Sequence, residues 1–301
     1  MHIGVAATPD VAIPTLDWLL QSDHTIDLVI TQPDRPAGRG RQLTQSSVGE
    51  WAHQHSINLV KPEKSSELAG KIDDLDLVLT IGYGVLLPEN ILALPKHGFL
   101  NLHFSLLPAY RGAAPAQRAL HNGETTTGVT VFKLDKGMDT GPIYSQKSIA
   151  IDPAWRSFEL LSELSHLGPA VVADAIIQIE KGLQPIAQAG EASIAPKITK
   201  AEAKIDFNSN ATSIVNAIKA FTYEPGAWTI WKDEPFKVTA AVVSTHTGFK
   251  PGEILNKDGA LLVGTKDFCI EILTVTPAGK KEMKAIDWVR GARLVGGEYF
   301  G

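Results

Sequence analysis

Asn101 and His103 are the first pair of side chains whose types and spacing could do chemistry, because one donates hydrogen bonds and the other carries a proton. Two residues apart on a strand, they share one face of a sheet. Pro108 and Gly112 mark the turn that follows, so the pair falls at the carboxyl end of the strand, where open α/β sheets bind ligands. Each residue alone has a structural interpretation, and their joint position is what indicates a site.

A candidate acid, Asp139, follows the next predicted strand in the segment 136–141, KGMDTG. Glycines on both sides would let the backbone approach a ligand closely and let the carboxylate point inward. An ordinary turn containing an aspartate is the alternative interpretation of the same segment.

An amide, an imidazole and a carboxylate without a nucleophile suit direct acyl transfer between two nitrogens. The Asn101 amide and an imidazole N–H could stabilise the oxyanion that forms, and the imidazole could move the proton between attacking and leaving nitrogens. A carboxylate beside His103 would orient the ring and favour its charged form. Ser105 as a nucleophile is the less favoured alternative, because nothing nearby resembles a nucleophile elbow.

Several common catalytic devices are missing from the sequence. The first predicted strand runs into AATPD at 6–10 without a G-x-G-x-x-G fingerprint, and the sequence holds no P-loop, H-E-x-x-H or G-x-S-x-G motif. Cys269 is the single cysteine, which excludes an intramolecular disulfide and a cysteine-based metal cluster. We expect Cys269 to be a buried, inert thiol and the site to hold no metal.

The composition is that of an ordinary folded protein. The 301 residues are 44% hydrophobic and 20% charged, which excludes a disordered or fibrous chain, and the net charge of -5 argues against a globally basic nucleic-acid binder. No apolar run approaches the ~18–20 residues that span a bilayer. Because the sequence starts with a strand-like run, we expect no targeting peptide. We therefore expect a cytoplasmic protein with no membrane partner.

The elements that must position the candidate site alternate between strand and helix. Strands are predicted at 3–8, 26–31, 57–60, 75–81, 99–104 and 128–134, and helices at 11–21, 48–54, 113–121 and 157–181. Continuous apolar strands in this alternation predict an α/β fold with an open, mostly parallel, Rossmann-like sheet. We assign residues 1–183 to this catalytic domain and residues 184–203, which lack periodicity, to a linker.

Residues 204–301 are predicted to form a second, β-rich domain. A helix at 211–221 precedes short strands at 228–231, 236–243, 252–255, 260–263 and 268–275. Lys257-Asp258-Gly259, between two of these strands, is a hairpin signal. Several short strands in so few residues predict a small barrel, for which an OB-like β-barrel is one option.

The residues around His103 resemble a known family. The segments 101–108 (NLHFSLLP) and 111–115 (RGAAP) are similar to the active-site signature of enzymes that use 10-formyltetrahydrofolate, and Asp139 matches their acidic residue. Within that group, the loop 31–41 (TQPDRPAGRGR) resembles the loop typical of the methionyl-tRNA formyltransferase family. The resemblance extends over both predicted domains, with a departure at Ala109-Tyr110, where the family has a basic residue and a Trp.

This resemblance implies a formyltransferase-type fold and specific roles. The catalytic groups would be Asn101, His103 and Asp139. The folate would be held by the cavity and turn residues Ser105, Leu106, Leu107, Pro108, Leu86 and Leu87. The formyl group of 10-formyltetrahydrofolate would pass, through a tetrahedral intermediate, to the α-amine of methionine on initiator tRNA, and the C-terminal barrel would carry the tRNA.

Arg35, Arg39 and Arg41 lie close together on a loop rich in Gly and Pro. Such a loop could order against phosphates or base edges when RNA arrives, so we expect it to bind tRNA. A solvated surface loop is the alternative interpretation.

Two other functions stay open at this point. One is the same formyl transfer to a nucleotide-linked amino sugar, which would not need the arginine loop to reach an RNA stem. The other is a non-catalytic RNA- or folate-binding module, which would gain nothing from retaining His103 as a proton carrier. We expect initiator methionyl-tRNA and folate as partners of a monomer.

Overall fold

The computed structural model describes residues 1–37, 42–257 and 259–301. Contacts divide the chain into two compact units. The first comprises Met1–Pro115, Thr126–Ala150 and Leu161–Pro196, and the second Ala116–Thr125, Ile151–Leu160 and Lys197–Gly301. The predicted limits of the catalytic domain, the linker and the C-terminal domain stay a prediction.

The elements of the first 180 residues follow the predicted alternation. The strands are β1 His2–Ala7, β2 Thr25–Ile30, β3 Arg35–Ala37, β4 Gln42–Thr44, β5 Leu59–Val60, β6 Leu77–Ile81, β7 Phe99–His103, β8 Thr126–Lys133 and β9 Ile143–Ala150. The α-helices are α1 Ile13–Gln21, α2 Ser47–Gln54, α3 Glu89–Leu92, α4 Pro115–His121 and α5 Ser157–Glu180.

The main sheet has seven strands in the order β5-β2-β1-β6-β7-β8-β9. The neighbouring strands β5, β2, β1, β6 and β7 pair in parallel. The pairs β7–β8 and β8–β9 are antiparallel. All five residues of β6 are buried, as an apolar strand covered on both faces requires. The open, mostly parallel sheet is thus confirmed, and the chain reverses its direction of travel across the sheet between β1 and β6, where such sheets bind ligands.

Helix α5 is the longest helix of the described chain. By length and composition alone it could cross a membrane, although the sequence shows no long unbroken apolar run, and 44% of its most apolar window is buried inside the protein. The buried residues Leu164, Val172 and Ile176 recur at helical spacing, as in the core helix of a folded domain.

The second unit contains an antiparallel sheet. Its strands are β10 Trp228–Trp231, β11 Glu234–Val243, β12 Ile254–Lys257, β13 Ala260–Gly264, β14 Cys269–Pro277 and β15 Met283–Lys284, accompanied by helices α6 Ala211–Phe221 and α7 Ala285–Ala292. The order is β10-β11-β14-β13-β12, with β15 also on β14. This half-barrel confirms the predicted class of the second domain. Asp258 of the predicted hairpin lies outside the described residues, and Lys257 pairs with Ala260 beside it.

Candidate active site

A cavity of about 470 Å³ is lined by the carboxyl ends of β6 and β7 and by the segment that follows β8. Its volume lies within the ~300–1,000 Å³ range of small-molecule sites. It is lined by all three predicted catalytic residues, Asn101, His103 and Asp139. The register of β7 explains the first two, because Asn101 pairs with Thr80 of β6 and His103 pairs with Thr130 of β8.

The imidazole of His103 has a defined tautomer. Its Nε2 lies 2.9 Å from the carbonyl oxygen of Tyr110, and because a carbonyl only accepts, Nε2 carries the hydrogen. Nδ1 therefore has the lone pair in the neutral ring, and it lies 3.6 Å from Oδ2 of Asp139. This separation is too long for a strong hydrogen bond and short enough for electrostatic attraction.

Burial decides the charge of His103. The side chain is only 6% exposed, and desolvation lowers the pKa of the imidazole below its ordinary value of 6.5, while Asp139 and the Tyr110 carbonyl act in the opposite direction. A neutral ring at pH 7 has one basic nitrogen, Nδ1, beside a carboxylate that stabilises the ring once it takes up a proton.

The carboxylate of Asp139 is held by a backbone group. The Gly112 amide donates to Oδ2 over 2.7 Å. Gly112 has a φ of 122°, and a Cβ there would lie 2.7 Å from the carbonyl oxygen of Ala195, so this position requires glycine. Asp139 itself has a φ of 54°, a left-handed conformation that residues with a side chain rarely adopt outside functional or tightly constrained sites.

The two glycines near Asp139 are required by the packing of their own segment. A Cβ on Gly141 would lie 1.7 Å from the carbonyl oxygen of Lys133, and a Cβ on Gly137 would lie 2.0 Å from Oγ1 of Thr140. Both glycines therefore allow the segment to pack closely against its own chain. Gly137 also lines the cavity, so the expected close approach of a ligand to this backbone stays a prediction.

The residues expected to hold folate divide into two groups. Leu86 and Leu87 line the cavity, and Leu86 is 88% exposed. Ser105, Leu106, Leu107 and Pro108 are not among the described residues that line it. The Ser105 hydroxyl donates to the Ala109 carbonyl over 2.7 Å and is buried, so it stabilises the turn after β7. The folate assignment of these four residues stays a prediction.

The predicted tRNA loop is only partly described. Arg35 lies in β3 and donates from Nη2 to Oε1 of Gln32, and Gln32 in turn donates from Nε2 to the Tyr83 carbonyl over 2.6 Å. Gln32 thus joins the loop to the wall of the cavity. Arg39 and Arg41 lie outside the described residues.

The structure adds partners that sequence patterns do not reveal. The Tyr110 carbonyl and the Gly112 amide are backbone groups, so the residue types at these positions do not predict their contacts with His103 and Asp139. In the described part of the chain, His, Cys, Asp and Glu side chains form no group suited to a metal ion. Cys269 is buried, and desolvation raises the pKa of its thiol, which keeps it protonated.

An open α/β sheet here presents an amide, a neutral imidazole and a carboxylate to one cavity, a set of groups suited to group transfer. Residues 3–176 match the formyl transferase family, and residues 197–293 match the formyl transferase C-terminal domain. The chain therefore belongs to the formyl transferase family, and it is a transferase.

Individual proteins give the same result. Over 306 residues the chain is 40% identical to a methionyl-tRNA formyltransferase of Salinispora tropica, with 99% of both chains covered. It is similar to the solved methionyl-tRNA formyltransferase from Clostridium thermocellum, with a TM-score of 0.58 and 17% identity over 81% of this chain and 94% of that one. It also resembles an N-formyltransferase from Helicobacter canadensis, solved with folinic acid and dTDP-3-aminofucose, with a TM-score of 0.66 and 19% identity over 90% and 98% of the two chains. The two solved structures, at these identities, support the fold alone.

Proposed function

We propose that this protein transfers the formyl group of 10-formyltetrahydrofolate to the α-amine of methionine on initiator tRNA. The observation that carries the reaction type is the convergence of Asn101, His103 and Asp139 on one cavity. The 40% identity to a methionyl-tRNA formyltransferase over nearly the whole chain supports the acceptor.

The cavity fits a flat, partly apolar donor. Leu86, Leu87 and Met138 supply an apolar surface, and Asn101 and His103 lie on the polar side. This combination suits a flat pterin ring on the apolar surface whose formyl group reaches the polar side. When bound, the folate supplies an activated formyl group on nitrogen.

Asn101 and His103 have separate tasks in the transfer. The amide N–H of Asn101 donates to the formyl oxygen as charge develops on it, and losing one such donor costs on the order of 10²–10³ in rate. Nδ1 of His103 accepts the proton of the attacking amine as the new C–N bond forms. It returns that proton to the folate nitrogen as the old C–N bond breaks. Because Nε2–H is bonded to Tyr110, the neutral ring acts first as a base through Nδ1.

Asp139 supports the proton transfer by its charge. Its Oδ2 lies 3.6 Å from Nδ1, so the carboxylate lowers the cost of the imidazolium that forms during the reaction. The bond from the Gly112 amide keeps this oxygen in place while the proton moves.

The acceptor tRNA is expected to contact the arginine loop and the second unit. Arg35, Arg39 and Arg41 offer three cations for phosphates. In the second unit, the ammonium groups of Lys200 and Lys204 each lie 5.8 Å from the ring centroid of Trp228. Cations beside an aromatic ring are typical of surfaces that bind single-stranded RNA. We further propose a cytoplasmic monomer without a membrane partner.

A direct competition tests the proposal. The purified protein is supplied with 10-formyltetrahydrofolate and with either charged initiator methionyl-tRNA or a dTDP-linked amino sugar, and formylated product is quantified by mass spectrometry. We expect rapid formylation of the methionyl-tRNA alone. Preferential formylation of the sugar would replace the proposed acceptor, and no product from either would contradict the reaction.

A further inference from the structure

Gln188 binds two segments of the candidate active site, the one that contains Asp139 and the one that contains Arg111. It lies on the segment 184–196, which was predicted as part of a linker and which in the structure pairs with the chain beside the site. Arg111 forms an isolated bridge with Ile194, and the Ala195 amide donates to the Arg111 carbonyl over 2.6 Å. The segment is thereby fixed next to Gly112.

The side chain of Gln188 uses both ends of its amide. Its Nε2 donates to the carbonyl oxygens of Asp139 and Gly141, each over 2.8 Å. Its Oε1 accepts from Nη2 of Arg111 over 2.6 Å and from Nε over 3.2 Å. Both amide hydrogens and both acceptor lone pairs therefore have partners, which fixes the orientation of the amide.

These bonds act where the backbone is strained. Asp139 has a φ of 54°, and a residue with a side chain keeps such a conformation only when its surroundings determine it. Gln188 holds the carbonyl oxygen of that residue and the one two positions further on. At the same time, Arg111 precedes Gly112, whose amide binds the Asp139 carboxylate. One side chain thus joins the backbone of the acid to the side chain of Arg111, the residue before the peptide that binds the carboxylate.

We propose that Gln188 is a positioning residue for formyl transfer, holding Asp139 against the Gly112 amide and beside Nδ1 of His103. Gln188 is not among the described residues that line the cavity, so it acts through Asp139. This inference rests on the proposed function, because it assigns Asp139 a part in the reaction.

The test compares Gln188→Leu, which removes all four bonds, with Gln184→Leu, an exposed position on the same segment. We expect Gln188→Leu to lower kcat on the order of 10- to 100-fold, since small displacements of catalytic groups cost this much. KM for both substrates should change by less than about twofold, since Gln188 lies outside the cavity. Gln184→Leu should match the wild type. Gln188→Asn, which keeps an amide on a shorter stem, should recover part of kcat.

A second readout separates positioning from general structural damage. The charges near His103 are Asp139 at Nδ1 and, on the same cavity wall, Asp135 and Lys136. If Gln188→Leu lets Asp139 move away, the ring loses an attraction that favours its charged form. NMR titration of the substrate-free protein should then give His103 a lower pKa in Gln188→Leu than in the wild type, with an intermediate value in Gln188→Asn.

The outcomes are distinguishable. An unchanged kcat in Gln188→Leu, or a reduced kcat with an unchanged His103 titration, would overturn the inference. If Gln188→Leu does not fold, the comparison of Gln188→Asn with the wild type decides it by the same two readouts. If the wild type does not formylate methionyl-tRNA, the proposed function fails, and the titration still shows whether Gln188 holds Asp139 beside His103.

Discussion

The two walls of the cavity differ in how firmly their residues are held. On the polar wall, His103 is fixed by strand register and by the Tyr110 carbonyl, and Asp139 is fixed by the Gly112 amide. On the apolar wall, Val85, Leu86 and Met138 are 41%, 88% and 55% exposed and lie outside the helices and strands. Under the proposed function, the groups that react are preorganised, whereas the surface proposed to meet the apolar part of the folate stays exposed until a ligand covers it.

Loss of the base on the polar wall is expected to have the largest effect. His103→Ala removes the proton acceptor, and kcat should fall on the order of 10³-fold. KM for the folate should change little, because the apolar wall is untouched. Steady-state formylation kinetics measure this, with His166→Ala, an exposed histidine on α5, as the control. A His103→Ala enzyme within tenfold of the wild type would contradict the role of His103 as the base.

A substitution that only displaces the acid should cost less. Gly112→Ala places a Cβ 2.7 Å from the Ala195 carbonyl at a φ of 122°, so the peptide that binds Asp139 has to move. We expect kcat to fall on the order of 10- to 100-fold and stability to decrease by about 1–3 kcal/mol. Gly182→Ala is a matched control, since it also has positive φ but no atoms within 4 Å of the added Cβ. Equal losses of kcat in the two variants would show that the contact with Ala195 is not what matters.

The sequence predicted those parts of the molecule that rest on local patterns. Helix α6 spans the predicted residues, because Asn210 caps it by accepting from the Ser213 amide and the apolar residues recur at helical spacing. The shared face of Asn101 and His103 follows from strand alternation alone. Strand β9 was not predicted, because most of its residues are polar or partly exposed and it lies at the edge of the sheet.

The site's supporting contacts could not be predicted, because they join distant residues through backbone atoms. The bridge between Arg111 and Ile194 joins positions more than 80 residues apart and depends on no residue type. The segment 184–196 has no periodicity, so nothing local indicates that Gln188 contacts Asp139. The residue type at position 110 likewise does not indicate that the backbone carbonyl of Tyr110 binds His103.

The pH dependence should reflect the buried base of the polar wall. Desolvation lowers the pKa of His103 below 6.5, and the ring has to be neutral to accept a proton. The attacking α-amine has to be neutral as well, so the profile is first corrected for the separately measured ionisation of that amine. The corrected kcat/KM should be level above pH 6.5 and fall about tenfold per unit only below the lowered pKa of His103. Asp139→Asn removes the charge that opposes the shift, so its acid limb should move to still lower pH. An acid limb that stays above pH 6.5 after correction for the amine would exclude His103 as the group observed.

The smallest expected effect belongs to the apolar wall. Leu86→Ala removes a side chain that is 88% exposed, so the free energy of unfolding should not change measurably. If bound folate covers this side chain, losing that burial costs about 1 kcal/mol, which corresponds to a roughly fivefold increase in the folate Kd with kcat unchanged. Leu183→Ala, also exposed but not among the described residues of the cavity, should leave the Kd unchanged. A fall in kcat in Leu86→Ala would instead mean that this wall also positions the reacting atoms, and the contrast between the two walls would no longer hold.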